Sequence, residues 1–167
     1  VVVGLRVFVV WRDDRVGRFG VHFYRSLDGG DTWLDNDVRI DGGEAGVTSA
    51  GAPRIAHSGD RLHVVWTDDR LGGADVHVAT SPDAGASWSA PQRVSRPASG
   101  AALAIAPQVV TEGDAVLVVY ADRRAGQADV YANASSDAGA TWQTADLRIN
   151  RGALGLGSAE APHAVLA

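Results

Sequence analysis

The chain has 167 residues, with no Cys, no Met and a net charge of −5 from fifteen arginines against twenty acids. That length allows one domain with a real core. The missing cysteines exclude disulfides and thiolate metal sites, and the acidic balance argues against a general nucleic-acid binder. The longest mostly apolar stretch, Ala101–Val110, is interrupted by Pro107. It is far short of the roughly 18–20 residues of a membrane helix, so no membrane insertion is expected. A Met-free chain is expected to be a processed or excised piece of a longer one.

In chain order, Val1–Val3 fall where the tail of a strand belongs, and Trp11-Arg12-Asp13-Asp14-Arg15 ends the next strand. Ser26-Leu27-Asp28-Gly29-Gly30-Asp31-Thr32-Trp33 then marks a turn, and Arg39-Ile40 closes the unit. The same anchors return twice. Trp66-Thr67-Asp68-Asp69-Arg70 and Tyr120-Ala121-Asp122-Arg123-Arg124 repeat the first segment. Ser81–Trp88 and Ser135–Trp142 repeat the second, and Arg93-Val94 and Arg148-Ile149 the third. Pro53-Arg54-Ile55, Pro107-Gln108-Val109 and Pro162-His163-Ala164 form a fourth set of anchors.

Within the second unit, Pro53–His57, Arg61–Thr67 and Asp75–Thr80 are predicted strands; in the third, Pro107–Val110, Ala115–Ala121 and Asp129–Ala134. Proline suits a strand's first residue. No window sustains a 3.6-residue period, so no helix is expected. Four short strands per unit, at a period near 50, match one propeller blade. The expected fold is therefore all-β: one repeat domain, 1–167, of three four-stranded antiparallel blades, half of a six-bladed ring. Blade repeats are placed at about 1–40, 53–95 and 107–149. Ser158–Ala167 resemble the start of another first strand, so a blade is expected to be split across the termini.

The Ser-x-Asp-x-Gly-x-Thr/Ser-Trp segment resembles the Asp-box, or BNR repeat, of the sialidase superfamily, and the Trp-x-Asp-Asp-Arg strand is similar to its neighbouring strand. The resemblance covers all three units. It implies a β-propeller with the boxes on the rim, away from the catalytic face. It also implies a secreted, periplasmic or cell-surface location. It does not specify an activity, because the family holds exo-sialidases, other glycosidases and sorting receptors. Asp28, Asp83 and Asp137 are expected to accept turn amides. Gly30, Gly85 and Gly139 are expected to supply positive φ, and Trp33, Trp88 and Trp142 to bury a ring at the outer edge. These residues are read as structural. Asp13, Asp68 and Asp122, recurring with Arg15, Arg70 and Arg124, are read as ion pairs or turn networks between neighbouring blades. Arginine beside each Asp opposes a cation.

Function is sought where the repeat breaks. The residue after each anchoring proline differs: Arg54, Gln108, His163. Sialidases bind a substrate carboxylate through an arginine triad, so the resemblance makes Arg54 a ligand-binding candidate, though its proline lies on the opposite side from the family's segment. Arg12 and Arg18, with Phe19, sit in turns of the same end, and Glu160 precedes a first strand. The family's Tyr–Glu nucleophile is not found: Tyr120 and Tyr131 replace core or strand-face residues, Tyr24 lies on an outer strand, and Glu44 and Glu112 lie in a linker and a turn. His22, His77 and His63 occupy packing positions, and three dispersed histidines make no zinc site.

No catalytic residue, metal or cofactor is assigned. The leading expectation is a non-catalytic scaffold or glycan-binding module. The rivals are part of a sialidase-like glycoside hydrolase completed elsewhere, and a purely structural or engineered repeat that self-assembles. The expected partner is a second copy closing a six-bladed ring, or adjacent blades of a longer parent.

Overall fold

The computed structural model describes all residues except 44–46, 48, 99, 157, 160, 166 and 167. It contains twelve strands and, among the described residues, no helix. Blade 1 is β1 (Val2–Val3), β2 (Arg6–Asp13), β3 (Gly20–Ser26) and β4 (Val38–Arg39). Blade 2 is β5 (Arg54–Ser58), β6 (Arg61–Asp68), β7 (Asp75–Ser81) and β8 (Gln92–Arg93). Blade 3 is β9 (Ala104–Glu112), β10 (Ala115–Asp122), β11 (Asp129–Ser135) and β12 (Leu147–Arg148). Each is a four-stranded antiparallel meander in sequence order. The register repeats as well: Trp11 faces His22, Trp66 faces His77, and Tyr120 faces Tyr131. The all-β propeller-type architecture expected from the repeat is therefore present.

Two apolar layers hold the blades together. Phe8, Val21, Phe23 and Ile40 of blade 1 meet Leu62, Val64, Trp66 and Ala79 of blade 2. Val65, Val76 and Val78 on the opposite face of blade 2 meet Val116, Val118, Tyr120 and Trp142 of blade 3. Strand side chains alternate between faces, and the middle sheet is covered on both. This is why β6 runs nearly unbroken in apolar residues and buries everything from Leu62 to Trp66.

Among the described residues, the outer face of the first sheet has no such cover. Val9 is 39% exposed, whereas its counterparts Val64 and Val118 are fully buried.

Two expectations need correction. Pro107 does not start its strand. β9 begins at Ala104, and its register with β10 slips between Val119 and Ala121. Ala106 adopts φ 50 there, so Pro107, which lacks an N–H, sits at a bulge rather than in the ladder. In blade 2 pairing is interrupted at the corresponding place, leaving Ala50 as an isolated bridge to Asp68 ahead of β5. The Ser158–Ala167 segment, in its described residues, forms no strand. Its lead-in nonetheless keeps the repeat: Ala159 donates to the Ala128 carbonyl as Ala50 does to Phe19 and Ala104 to Ala74.

Candidate functional site

The recurring turn segment is built as its residues require. Asp28, Asp83 and Asp137 each accept the backbone N–H of the residue four places on, at 2.9, 2.8 and 2.8 Å. Ser26, Ser81 and Ser135 accept the N–H of Gly30, Gly85 and Gly139 at 2.8, 2.7 and 2.9 Å. These bonds, led by those from Thr32, Ser87 and Thr141, stabilise the carboxylates and lower their pKa values, to about 2 for Asp83 and Asp137.

One feature is not legible in the motif. The residue before each turn glycine is also left-handed: Gly29, Ala84 (φ 55) and Ala138 (φ 60). The conformation is held by donation to the Leu5, Asp60 and Asp114 carbonyls of the same blade's first hairpin.

The tryptophans do not share one environment. Trp142 is buried at 8% exposure, Trp88 is partly buried, and Trp33 is 39% exposed. Each segment leans on the preceding blade. Trp142 joins the blade 2–3 layer, and Trp88 meets Phe23 of blade 1 edge-on at 4.9 Å. Trp33 has no such neighbour and stacks on Tyr24 at 5.1 Å. The expectation of a buried ring at every copy is corrected accordingly.

The opposite ends of the blades carry the β2–β3, β6–β7 and β10–β11 turns and the blade-to-blade connections. Here Asp13, Asp68 and Asp122 accept the backbone N–H of Arg15, Arg70 and Arg124 at 2.8, 2.9 and 2.7 Å. The same arginines bring a guanidinium nitrogen within 2.7, 2.6 and 2.7 Å of a carboxylate oxygen. These are turn networks inside each blade, not the expected ties between neighbouring blades. Of the three arginines, Arg70 also reaches the preceding blade, donating to the Asp41 carbonyl at 2.6 Å. Among the described residues no group of three or more potential metal ligands is present.

Behind these turns each blade buries a second carboxylate, and the sequence pattern hid the equivalence. Asp75 and Asp129 start β7 and β11, and they pair with Arg93 and Arg148. Each also accepts an amide of its connection, from Gly100 at 3.0 Å and Gly155 at 2.9 Å. Blade 1 has Gly20 at that position. Its carboxylate comes instead from Asp41, which pairs with Arg39 at 2.7 Å. A Cβ on Gly20 would lie 2.7 Å from Arg39 Nε and 3.1 Å from Asp41 Oδ2. The carboxylate has moved from β3 to just past the end of the adjacent β4 while the arginine stayed.

The proposed ligand residues are placed as follows. Arg54 faces Val65 and Gln108 faces Val119, equivalent positions on neighbouring inner strands. Arg54 is exposed and donates to its own neighbour's carbonyl, Pro53 O, at 3.1 Å. No acid pairs with it among the described residues, contrary to the local ion pair that a structural arginine would make. Gln108 is half-buried, and His163 is exposed outside any strand. Arg12 lies over the Phe19 ring at 4.4 Å, and Arg18 bridges to Asp69 of blade 2 at 2.6 Å. Glu160 and Glu44 fall outside the described residues. Arg54 and Gln108 thus hold matching positions on the first strands of blades 2 and 3, while Arg12 and Arg18 serve a stacking contact and an inter-blade tie.

No tyrosine meets a glutamate among the described residues. Glu112 ends β9 beside the first-hairpin turn, at the far end of the blade. Tyr120 is fully buried. Arg124 donates to its hydroxyl at 3.0 Å, and burial, then Asp146, push its pKa up. Tyr24 donates to the Leu34 carbonyl at 2.6 Å.

No family model and no curated protein sequence matches the chain. Solved structures do. The Penicillium chrysogenum alpha-L-arabinanase complexed with arabinobiose aligns with TM-score 0.58 at 20% identity, over 83% of this chain and 44% of that one. A Trypanosoma rangeli sialidase mutant displaying trans-sialidase activity aligns at 0.57 and 16%, over 89% and 30%. The catalytic domain of the Coprinopsis cinerea GH62 alpha-L-arabinofuranosidase aligns at 0.52 and 15%, over 81% and 44%. At these identities the likeness is one of fold, and the chain spans less than half the length of each.

Proposed function

We propose that this chain is a non-catalytic, Asp-box propeller module of the sialidase type that binds a ligand at its turn-bearing face, with a carboxylate-bearing glycan as the class best suited to Arg54. The observation that carries the reading is the Arg54 guanidinium: exposed, and bonded among the described residues to Pro53 O alone. Arginine matches a carboxylate with two parallel donors. Against catalysis stands the engagement of four of the described acids on this face. Asp13, Asp68, Asp122 and Asp69 are all engaged by arginines, whereas glycoside hydrolysis needs a pair of carboxyl groups flanking the bond. The scaffold role and a secreted, periplasmic or surface location belong to the same proposal and rest on the motif resemblance.

A second reading is favoured by the coverage: these blades form part of a glycoside hydrolase whose site is completed by further blades, from adjoining sequence or a second copy. The propeller neighbours named as sialidase and arabinanase support it. Titration with N-acetylneuraminic acid separates the readings when combined with turnover assays on fluorogenic sialosides and arabinofuranosides. Binding that weakens at least tenfold in Arg54→Ala, without turnover, supports the module. Binding unchanged by Arg54→Ala refutes the role of Arg54, and turnover refutes the non-catalytic reading.

A further inference from the structure

A cleft of about 460 Å³ lies at the rim between blades 2 and 3, away from Arg54. One wall is Trp88 with Ser87, Ser89, Gln92 and Thr80. The other is the turn Ala138-Gly139-Ala140 of blade 3. The corresponding hollow of blade 1, lined by Arg25, Thr32, Trp33 and Leu34, holds only 170 Å³.

The repeat explains the difference. At the blade 1–2 junction Arg25 extends across the gap and donates to the Ala84 carbonyl of the next turn. At the blade 2–3 junction the same position is Thr80, too short to cross, whose hydroxyl meets His63 Nδ1 at 3.2 Å. Two apolar residues of blade 1 have also become polar: Leu34 is replaced by Ser89 and Val38 by Gln92.

The resulting surface has one aromatic face and uncharged hydrogen-bonding groups at its margin. The Ser89 hydroxyl accepts from the Thr80 N–H at 3.0 Å and keeps its own proton to donate. Gln92 is exposed, and among the described residues its side-chain amide has no hydrogen-bond partner. The one charge on the wall, Arg61, is already paired with Asp114 at 2.7 Å. A mostly apolar pocket of a few hundred Å³ with a few placed polar groups is the usual form of a small-molecule site. An aromatic ring flanked by hydroxyl and amide groups, without a free charge, suits a ring that is apolar on its face and hydroxylated at its edge.

We propose that this rim cleft binds a neutral sugar, its ring lying on Trp88 and its hydroxyls met by Ser87, Ser89 and Gln92. The site is independent of the Arg54 reading and fails or stands separately from it.

The test is an NMR titration of the 167-residue chain with the methyl β-glycosides of glucose, galactose, xylose and arabinose. The indole N–H signal of Trp88 is assigned by Trp88→Phe. At least one glycoside is expected to shift that signal saturably. Thr80→Arg, which installs the blade 1 residue and closes the gap, should raise the Kd at least tenfold, while Arg54→Ala leaves it unchanged. Ser89→Leu and Gln92→Val restore blade 1 residues without closing the cleft and should weaken binding severalfold. They stand in as the test if Thr80→Arg does not fold. A Trp88 signal unmoved by every glycoside overturns the proposal, and so does binding that survives both the closing and the rim substitutions.

Discussion

Replacing the three repeated tryptophans one at a time with alanine tests whether each turn segment is held by the blade before it. Trp142 is 8% exposed and lies in the layer with Val65, Val76 and Val78. A tryptophan side chain of about 250 Å² at about 25 cal/mol per Å² gives a ceiling near 6 kcal/mol. Residual burial of alanine and a compact denatured state reduce it, leaving about 3–5 kcal/mol, the range of buried aromatic truncations. Trp33 is 39% exposed, touches no other blade through its ring, and contributes a stack on Tyr24 and an N–H bond to the Gly30 carbonyl at 3.0 Å. Its loss should cost about 1–2 kcal/mol. Trp88, partly exposed but seated on Phe23, should fall between. Urea melts of the three variants, followed by circular dichroism with the m-value held common, measure the order. Equal losses, or a larger loss for Trp33 than for Trp142, would refute the account in which a segment's stability comes from its neighbour.

Acid should weaken the chain in two windows. Burial, then Arg61, lower the His63 pKa to about 4, so below its ordinary 6.5 the unfolded chain takes a proton that the folded one refuses. Stability should fall by up to about 1.4 kcal/mol per pH unit from 6.5 towards 4, and His63→Leu should flatten that slope in urea midpoints read across pH. Asp83 and Asp137, held near 2, contribute stability that is present above the ordinary carboxylate value of 3.8 and lost as pH falls through 2; Asp83→Asn should shrink that second loss. Gly20→Asp should destabilise blade 1 by about 1–3 kcal/mol by crowding Asp41, and adding Asp41→Ser, the blade 2 arrangement, should recover most of it; a purely additive double mutant in denaturant melts would contradict the exchange of carboxylates. The 167-residue polypeptide expressed alone should self-associate at micromolar concentration through the exposed outer face of blade 1; a monodisperse 17.4 kDa species in light scattering would contradict this.

Much of the architecture is local and was therefore legible. Strand period, Gly-Asp turns and the Ser-Asp-Gly-Trp segment are determined by neighbours within ten residues. Repetition in register then marks the blades, the inner strands bearing Arg54 and Gln108, and the turn-bearing ends. What the sequence left undetermined depends on contacts between residues far apart in the chain, from neighbouring strands to neighbouring blades. Three identical-looking tryptophans differ because burial is conferred by the blade in front, which Trp142 and Trp88 have and Trp33 lacks among the described residues. Gly20 and Asp41 look like unrelated departures from the repeat until β3 and β4 lie side by side around Arg39. The rim cleft exists because Arg25 spans a gap to Ala84 and Thr80 does not. No pattern along one chain reports that distance, since it arises only when two blades have packed and a side chain's length meets the space between them.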